Sequence, residues 1–242
     1  MKLEIKNVSL SIEGKKIVED VSLVVKPGEI VGLLGPNGAG KTSTFNLAVG
    51  NLKPCKGDIV MDGRSISKLS LPQRSKYGLG YLPQQESVFR DLTVRENINL
   101  ALQTSNLRNA IIRNRREKII NDFNLNKFVD NYGFQLSGGE RRRCEIARAI
   151  SVGEKGPRYL LLDEPFAGID PLAVNDLKKL IIKLSNDGVG ILITDHNVRE
   201  TLLITNKSYV LSEGTILAYG LSKEVARNPI VKKFYLGDDF KL

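Results

Sequence analysis

Cysteine is scarce in this sequence: Cys55 and Cys144 lie far apart and form no CxxC pair, which argues against a disulfide framework and against a thiol-built zinc site. No apolar run approaches the roughly 18 to 20 residues that a bilayer-crossing helix needs. The opening residues Met1 to Glu4 lead into an alternating strand pattern, not into the apolar core of a secretory leader, so the expectation is a chain that is soluble and cytosolic by itself. Aromatic residues make up 6% of the chain and are not interleaved with the basic ones, which removes the stacking platforms of a single-strand reader, and no nucleic-acid partner is expected. Internal repeats, low-complexity tracts, long linkers and a coiled-coil insertion are all missing. The 242 residues, 41% of them hydrophobic, are enough for one compact α/β unit with a sizeable core.

What the chain does have is positive charge, 36 Lys and Arg against 27 Asp and Glu, a net +9 that suits an anionic partner such as a nucleotide or an anionic membrane face. Two basic runs stand out, one through Arg108, Arg113, Arg115, Arg116 and Lys118, the other Arg141, Arg142 and Arg143. Both read as solvated helix faces, with proximity to lipid head groups or a partner as the alternative.

Residues 2–34 read as strands, ending in the apolar run EIVGLL at 29–34, a buried central strand. A strand ending in an Asp62-Gly63 turn and a short extended segment at 80–83 follow. From about residue 91 the pattern turns helical, opening on Thr93 and Glu96 spaced as a capping box. Strands return at 159–162 and 190–194, separated by a helix with Leu177, Leu180, Ile181 and Leu184 on one face, and a strand-helix-strand unit implies a parallel sheet. A hairpin around Ser212 to Gly214 and a short basic helix close the chain.

The segment GPNGAGKT, residues 35–42, fits GxxxxGK[ST] between a buried strand and a helix. Gly35, Pro36, Asn37, Gly38, Ala39, Gly40, Lys41, Thr42 and Ser43 are the candidate nucleotide-binding residues: backbone amides of this loop can wrap phosphate at the helix N-terminus, Lys41 adds positive charge near the β and γ groups, and Thr42 can ligate magnesium. The run YLLLDE, residues 159–164, puts two acids at the carboxyl end of an apolar strand, the edge where ligands of parallel sheets bind. Asp163 is the candidate magnesium holder and Glu164 the group that polarises an attacking water. Between these motifs, LSGGE at 136–140 places Ser137, Gly138, Gly139 and Glu140 at the start of a helix beginning near Arg141, a second anion site in the same chain.

With LSGGE in that position, the sequence resembles the ABC ATPase family over essentially its whole length. The resemblance implies a P-loop NTPase fold of mixed α/β class: a RecA-like catalytic core with an antiparallel β subdomain at residues 1–90 and 156–242, and an inserted α-helical subdomain at 91–155. It implies a magnesium-dependent ATPase working as a homodimer, in which the signature loop of one subunit grips the γ-phosphate held by the other. It makes Gln84 the residue that contacts magnesium and the attacking water, the loop Ala167 to Asp170 a contact with the opposite subunit, and His196, the only histidine, the switch reaching the γ-phosphate. The segments DEPFAGIDP at 163–171, TDHNVRET at 194–201 and YLGDDF at 235–240 resemble the lipopolysaccharide-export branch of the family. That likeness implies two export-type membrane-spanning permease subunits, with their coupling helices in a groove beside Gln84 walled by residues 87–90, and a place on the cytoplasmic face of the bacterial inner membrane. A branched-chain amino-acid importer ATPase and a soluble ABC protein are the alternatives. One departure is Ile12, which occupies the position where the family commonly stacks an aromatic side chain on adenine.

Overall fold

A computed structural model describes residues 1–105 and 107–242. In chain order the elements are strands β1 (Leu3–Ile12), β2 (Lys15–Val25) and β3 (Ile30–Leu34), helix α1 (Lys41–Val49), strands β4 (Lys56–Met61) and β5 (Arg64–Ser65), helix α2 (Leu71–Lys76) and strand β6 (Leu79–Leu82). Helices α3 (Val94–Gln103), α4 (Asn109–Asp122) and α5 (Gly138–Ala149) follow, then β7 (Tyr159–Asp163), α6 (Pro171–Asn186), β8 (Gly190–Thr194), α7 (Val198–Ile204), β9 (Lys207–Ser212) and β10 (Thr215–Leu221). Short helices α8 (Ser222–Val225) and α9 (Pro229–Val231) lead into a final turn at Lys232–Leu236.

Two sheets form. The smaller is antiparallel with order β2-β1-β4-β5, and the larger runs β10-β9-β3-β8-β7-β6, parallel throughout except for the edge hairpin β9-β10. Every residue of β3, β7 and β8 is buried, as expected where both faces of a parallel sheet are covered. On one face the small sheet and α1 pack over Val31, Leu33, Leu161 and Leu192; on the other, residues of α3, α4, α5 and α6 cover Ile30, Leu160, Leu162, Ile191 and Ile193. A third cluster joins Leu34, Leu202 and Val231, with Tyr235 and Phe240 packed against it, so the last residues of the chain lie on the sheet end where β3 finishes. The consequence for function is topological. The chain leaves β3 into the phosphate-loop motif, β8 into His196, β7 into Glu164 and β6 into Gln84, and these four strands are neighbours in that spatial order. Residues more than a hundred positions apart therefore arrive at one sheet edge, the carboxyl edge where α/β folds bind ligands.

The second basic run departs from its reading as a solvated face. Arg142 is 6% exposed and Arg141 and Arg143 pair with Glu86 and Asp176 at 2.8 Å each. In the first run Arg115 turns inward to donate to the Gly153 carbonyl at 2.7 Å; Lys118 keeps to the surface with Asp122. Helix α5 starts at Gly138, not at Arg141, because Ser137 and Glu140 form its capping box.

Candidate active site

The loop between β3 and α1 is shaped by glycine at its first position. Gly35 sits at φ 145, and a β-carbon there would lie 2.1 Å from the Leu211 carbonyl oxygen, so no larger residue fits without moving β9. Helix α1 opens on Gly40 with no side chain to cap it, which leaves the positive end of the helix facing the cleft. Lys41 is buried and donates to the carbonyls of Gly35 at 2.7 Å and Pro36 at 2.9 Å. Burial lowers the lysine pKa and the charges of Glu164 and Asp163 oppose that shift.

Across the cleft stands Glu164, the residue that follows β7. Glu164 is buried and adopts φ 51, a left-handed backbone that carries strain in a residue other than glycine. Its carboxylate is gripped on both oxygens: Gln84 Nε2 donates to Oε2 at 3.0 Å, and His196 Nε2 lies 2.8 Å from Oε1. One carboxylate thus joins the ends of β6, β7 and β8. Asp163 is 1% exposed and neither of its carboxylate oxygens has a hydrogen-bond partner. Burial, followed by the neighbouring Glu164 charge, pushes its pKa up to about 6, with Arg142 and Lys41 pulling the other way. Asp195 accepts from the Phe166 amide at 2.7 Å and the Asn197 amide at 2.8 Å, tying the segment after Glu164 to the segment carrying His196.

The cleft itself has a volume of 490 Å³ and is lined by Asn37, Gly38, Gly40, Lys41, Thr42, Ser43, Gln84, Glu164 and His196, together with Ile17. The two unpartnered oxygens of buried Asp163 are hard donors of the kind that suits a cation such as magnesium, which takes few protein ligands and shares substrate phosphates, and Thr42 offers a further oxygen at the cleft.

Ser137, Gly139 and Glu140 line a different cavity, of 640 Å³, with Asp170 and Asp176. Gly139 packs so tightly on α6 that a β-carbon would come within 2.7 Å of the Ala173 Cβ. Ser137 Oγ donates to Glu140 Oε2 at 2.8 Å and the Ser137 amide donates to the same oxygen at 2.9 Å. Glu140 is therefore committed to capping its own helix, and as an acceptor it is unsuited to touch phosphate directly. Asp170 likewise caps α6 through the amides of Leu172 and Ala173. Ile12, 46% exposed at the end of β1, does not line the cleft, whereas Ile17 on β2 does. Sequence reasoning missed Ile17 because its apolar character in a strand reads as core, and it missed Arg142 because an arginine triplet reads as surface. The signal for Arg142 was Glu145 three residues on, an opposite charge on the same helix face.

The phosphate loop, paired acids and signature helix have counterparts in known proteins. The family model described as ABC transporter matches residues 18–167. The chain is 49% identical to the lipopolysaccharide export system ATP-binding protein LptB of Haemophilus influenzae, over 99% of each chain, and 47% identical to that of Escherichia coli, again over 99% of each. Among solved structures, the ADP conformation of an ATP-binding cassette of an ABC transporter superposes with a TM-score of 0.87 at 26% identity, covering 98% of this chain and 100% of the other. A family model spanning more than half of the chain, full-length relatives and a matching fold agree: the chain belongs to the ABC transporter family.

Proposed function

We propose that this chain is the ATP-hydrolysing motor subunit of a lipopolysaccharide exporter, working as a homodimer on the cytoplasmic face of the bacterial inner membrane beneath two membrane-spanning permease subunits. The observation that carries the motor reading is the carboxylate of Glu164 held between Gln84 and His196 opposite Lys41. Full-length identity to the lipopolysaccharide export ATP-binding proteins supports the cargo class. An amino-acid importer and a soluble ABC protein have no such support. No helix among the described residues is long and apolar enough to cross a membrane, so the membrane step belongs to partner subunits.

In this reading residues 1–90 and 156–242 form the catalytic core and 91–155 the helical signature subdomain. The free amides of the phosphate loop and the N-terminus of α1 bind the phosphates, and Lys41 exchanges its two loop carbonyls for phosphate oxygens. Glu164 accepts hydrogen-bonded protons from the attacking water, a contribution of about 10² to 10⁴ in rate for a well-placed general base. Gln84 and His196 fix the carboxylate's orientation before substrate arrives. Magnesium, held by Thr42 and Asp163 with Gln84 nearby, would supply charge neutralisation at the β and γ phosphates when bound. The signature cavity around Ser137 and Gly139 is separate from the cleft in one chain, which supports a head-to-tail dimer in which each signature helix N-terminus completes the partner's site. ATP then favours the closed dimer, and loss of the bridging phosphate reopens it.

The groove for the permeases is an apolar hollow of 480 Å³ lined by Phe89, Leu100, Ala101, Leu71 and Arg148. Phe89 is 46% exposed, with the Arg148 guanidinium 4.4 Å from its ring centre. Purifying the protein from native membranes through a carboxyl-terminal tag, and identifying the accompanying chains by mass spectrometry, tests this function. Two export-type permeases are expected. Amino-acid permeases with a solute-binding protein, or no membrane protein at all, would overturn the assignment.

A further inference from the structure

Arg142 stands on α5, the helix opened by the signature loop, yet it points away from that loop into the protein. A guanidinium carries five N–H donors in a rigid planar fork, and here all five have an acceptor. Nε donates to the Pro165 carbonyl at 3.2 Å; Nη1 donates to the Pro83 carbonyl at 3.2 Å and to Glu145 Oε2 at 2.9 Å; Nη2 donates to the carbonyls of Asp163 at 3.0 Å and Glu164 at 2.6 Å. Four of the five acceptors are main-chain oxygens of the two segments that carry Gln84 and Glu164. The fifth, Glu145, is 2% exposed, and its other oxygen accepts from the amides of Ser87 at 2.6 Å and Val88 at 3.2 Å.

These contacts matter because of the backbone they hold. Glu164 keeps a left-handed conformation at φ 51, which is strained in a residue other than glycine and persists only where the surroundings enforce it. Four hydrogen bonds do so, one of them from the Ala167 amide to the Glu164 carbonyl at 3.3 Å. The Glu164 amide donates to the Thr194 carbonyl at 2.8 Å, and Arg142 Nη2 holds the carbonyls on either side of the Glu164 Cα, those of Asp163 and Glu164 itself. Two of the four constraints, and the only ones from a side chain, therefore come from Arg142. The same side chain holds the peptide just before Gln84, so the hydrogen bond from Gln84 to Glu164 is set at both of its ends.

We infer that Arg142, with Glu145 as its counter-ion, is a positioning residue for ATP hydrolysis, setting the backbone of Glu164 and Gln84 against the signature helix. This rests on the reading of Glu164 as the carboxylate that polarises water. Glu145 extends the same scaffold to Ser87 and Val88 beside Phe89, so the wall of the permease groove, the signature helix and the hydrolytic carboxylate share one buried ion pair. Displacing reacting groups by about 1 Å costs on the order of a hundredfold in rate, and loosening Glu164 is a displacement of that kind.

The test is steady-state hydrolysis by the purified full chain, with rates expressed per nucleotide-binding site. Arg142→Gln is expected to lower kcat at least tenfold while leaving KM and the affinity for a fluorescent ATP analogue within about twofold, because nothing in the phosphate loop touches Arg142. Arg142→Lys, which keeps the charge but not the planar fork, is expected to recover only part of the loss. Glu145→Gln keeps an oxygen for the Ser87 and Val88 amides and removes the counter-charge. Its expected loss in kcat is about threefold to tenfold at unchanged affinity, and it serves as the readout should Arg142→Gln fail to fold. A merely structural arginine would lower melting temperature and yield but leave kcat per site as it was, and that result overturns the inference, as does a parallel loss of kcat and affinity. Glu164→Gln is the control: if it hydrolyses ATP normally, the reading of Glu164 is wrong, whereas an inactive Glu164→Gln with normal turnover in the Arg142 and Glu145 variants sinks this inference alone.

Discussion

Asp163 sits 1% exposed without a hydrogen-bond partner on either carboxylate oxygen, and replacing it with asparagine removes the charge at almost constant shape. Its folded pKa of about 6 lies above the usual 3.8. The folded chain therefore holds a proton that the unfolded chain has released between those values, and the group costs stability as pH rises through that window, with the full cost present above it. A shift of about two units corresponds to about 3 kcal/mol. An unpartnered amide in the same place gives back about 1 kcal/mol, so Asp163→Asn should stabilise the nucleotide-free, magnesium-free chain by about 2 kcal/mol at pH 7.5. For a chain of this size that is a rise in Tm of about 4 to 8 °C. Thermal melts in the presence of a chelator at pH 7.5 and pH 5.0 measure it, and the gain should shrink by more than half at the lower pH, where the native carboxyl is already largely protonated. Adding ATP and magnesium should reverse the order, because only the aspartate offers two anionic oxygens to the cation. A variant that melts no higher than the native chain at pH 7.5, or gains equally at both pH values, would refute this account of the buried charge.

Lys41→Ala removes the buried cation of the phosphate loop, and the thermal shift that ATP confers on the native chain should disappear with it. Ile17 lines the cleft, and Ile17→Tyr puts an aromatic side chain on its wall; stacking is worth about 1 to 3 kcal/mol, so isothermal titration should show at least a roughly fivefold gain in ATP affinity, and no gain would mean that the adenine does not lie against this wall. Arg74 is fully buried and donates to the carbonyls of Leu47, Ala48, Ser67 and Leu69, closing the carboxyl end of α1. Arg74→Met would leave those acceptors without partners at about 1 to 3 kcal/mol each, and a Tm lowered by about 10 °C or more is expected in a melting experiment.

The elements that position the site were legible where their signals were local. The stretches 30–34, 159–162 and 190–193 carry no charged residue because their strands are covered on both faces, and the glycines, acids and histidine at their ends announce the sheet edge. Helix α2 carried no such signal: its six residues are mostly polar, and its start rests on Ser70 and Gln73 satisfying each other. Arg142 was legible only through Glu145 on the same helix face, for a different reason. Its other four acceptors are main-chain carbonyls from two remote segments, which have no side-chain signature, so a charge that reads as solvated is tied to the site through five hydrogen bonds. Glu140 shows the reverse case, a motif residue whose carboxylate is spent on a helix cap that sequence spacing alone would have indicated.

The head-to-tail pairing of two chains around ATP is tested most directly by the solution mass of Glu164→Gln with ATP and magnesium, followed by light scattering during size-exclusion chromatography. On the role proposed for Glu164, removing its carboxylate should leave the closed state without an exit, so a particle of about twice the 26.8 kDa chain mass is expected with ATP, reverting to single chains when Ser137 in the signature loop is also replaced by a bulky residue. A monomer that binds ATP at full stoichiometry and stays a monomer would contradict it.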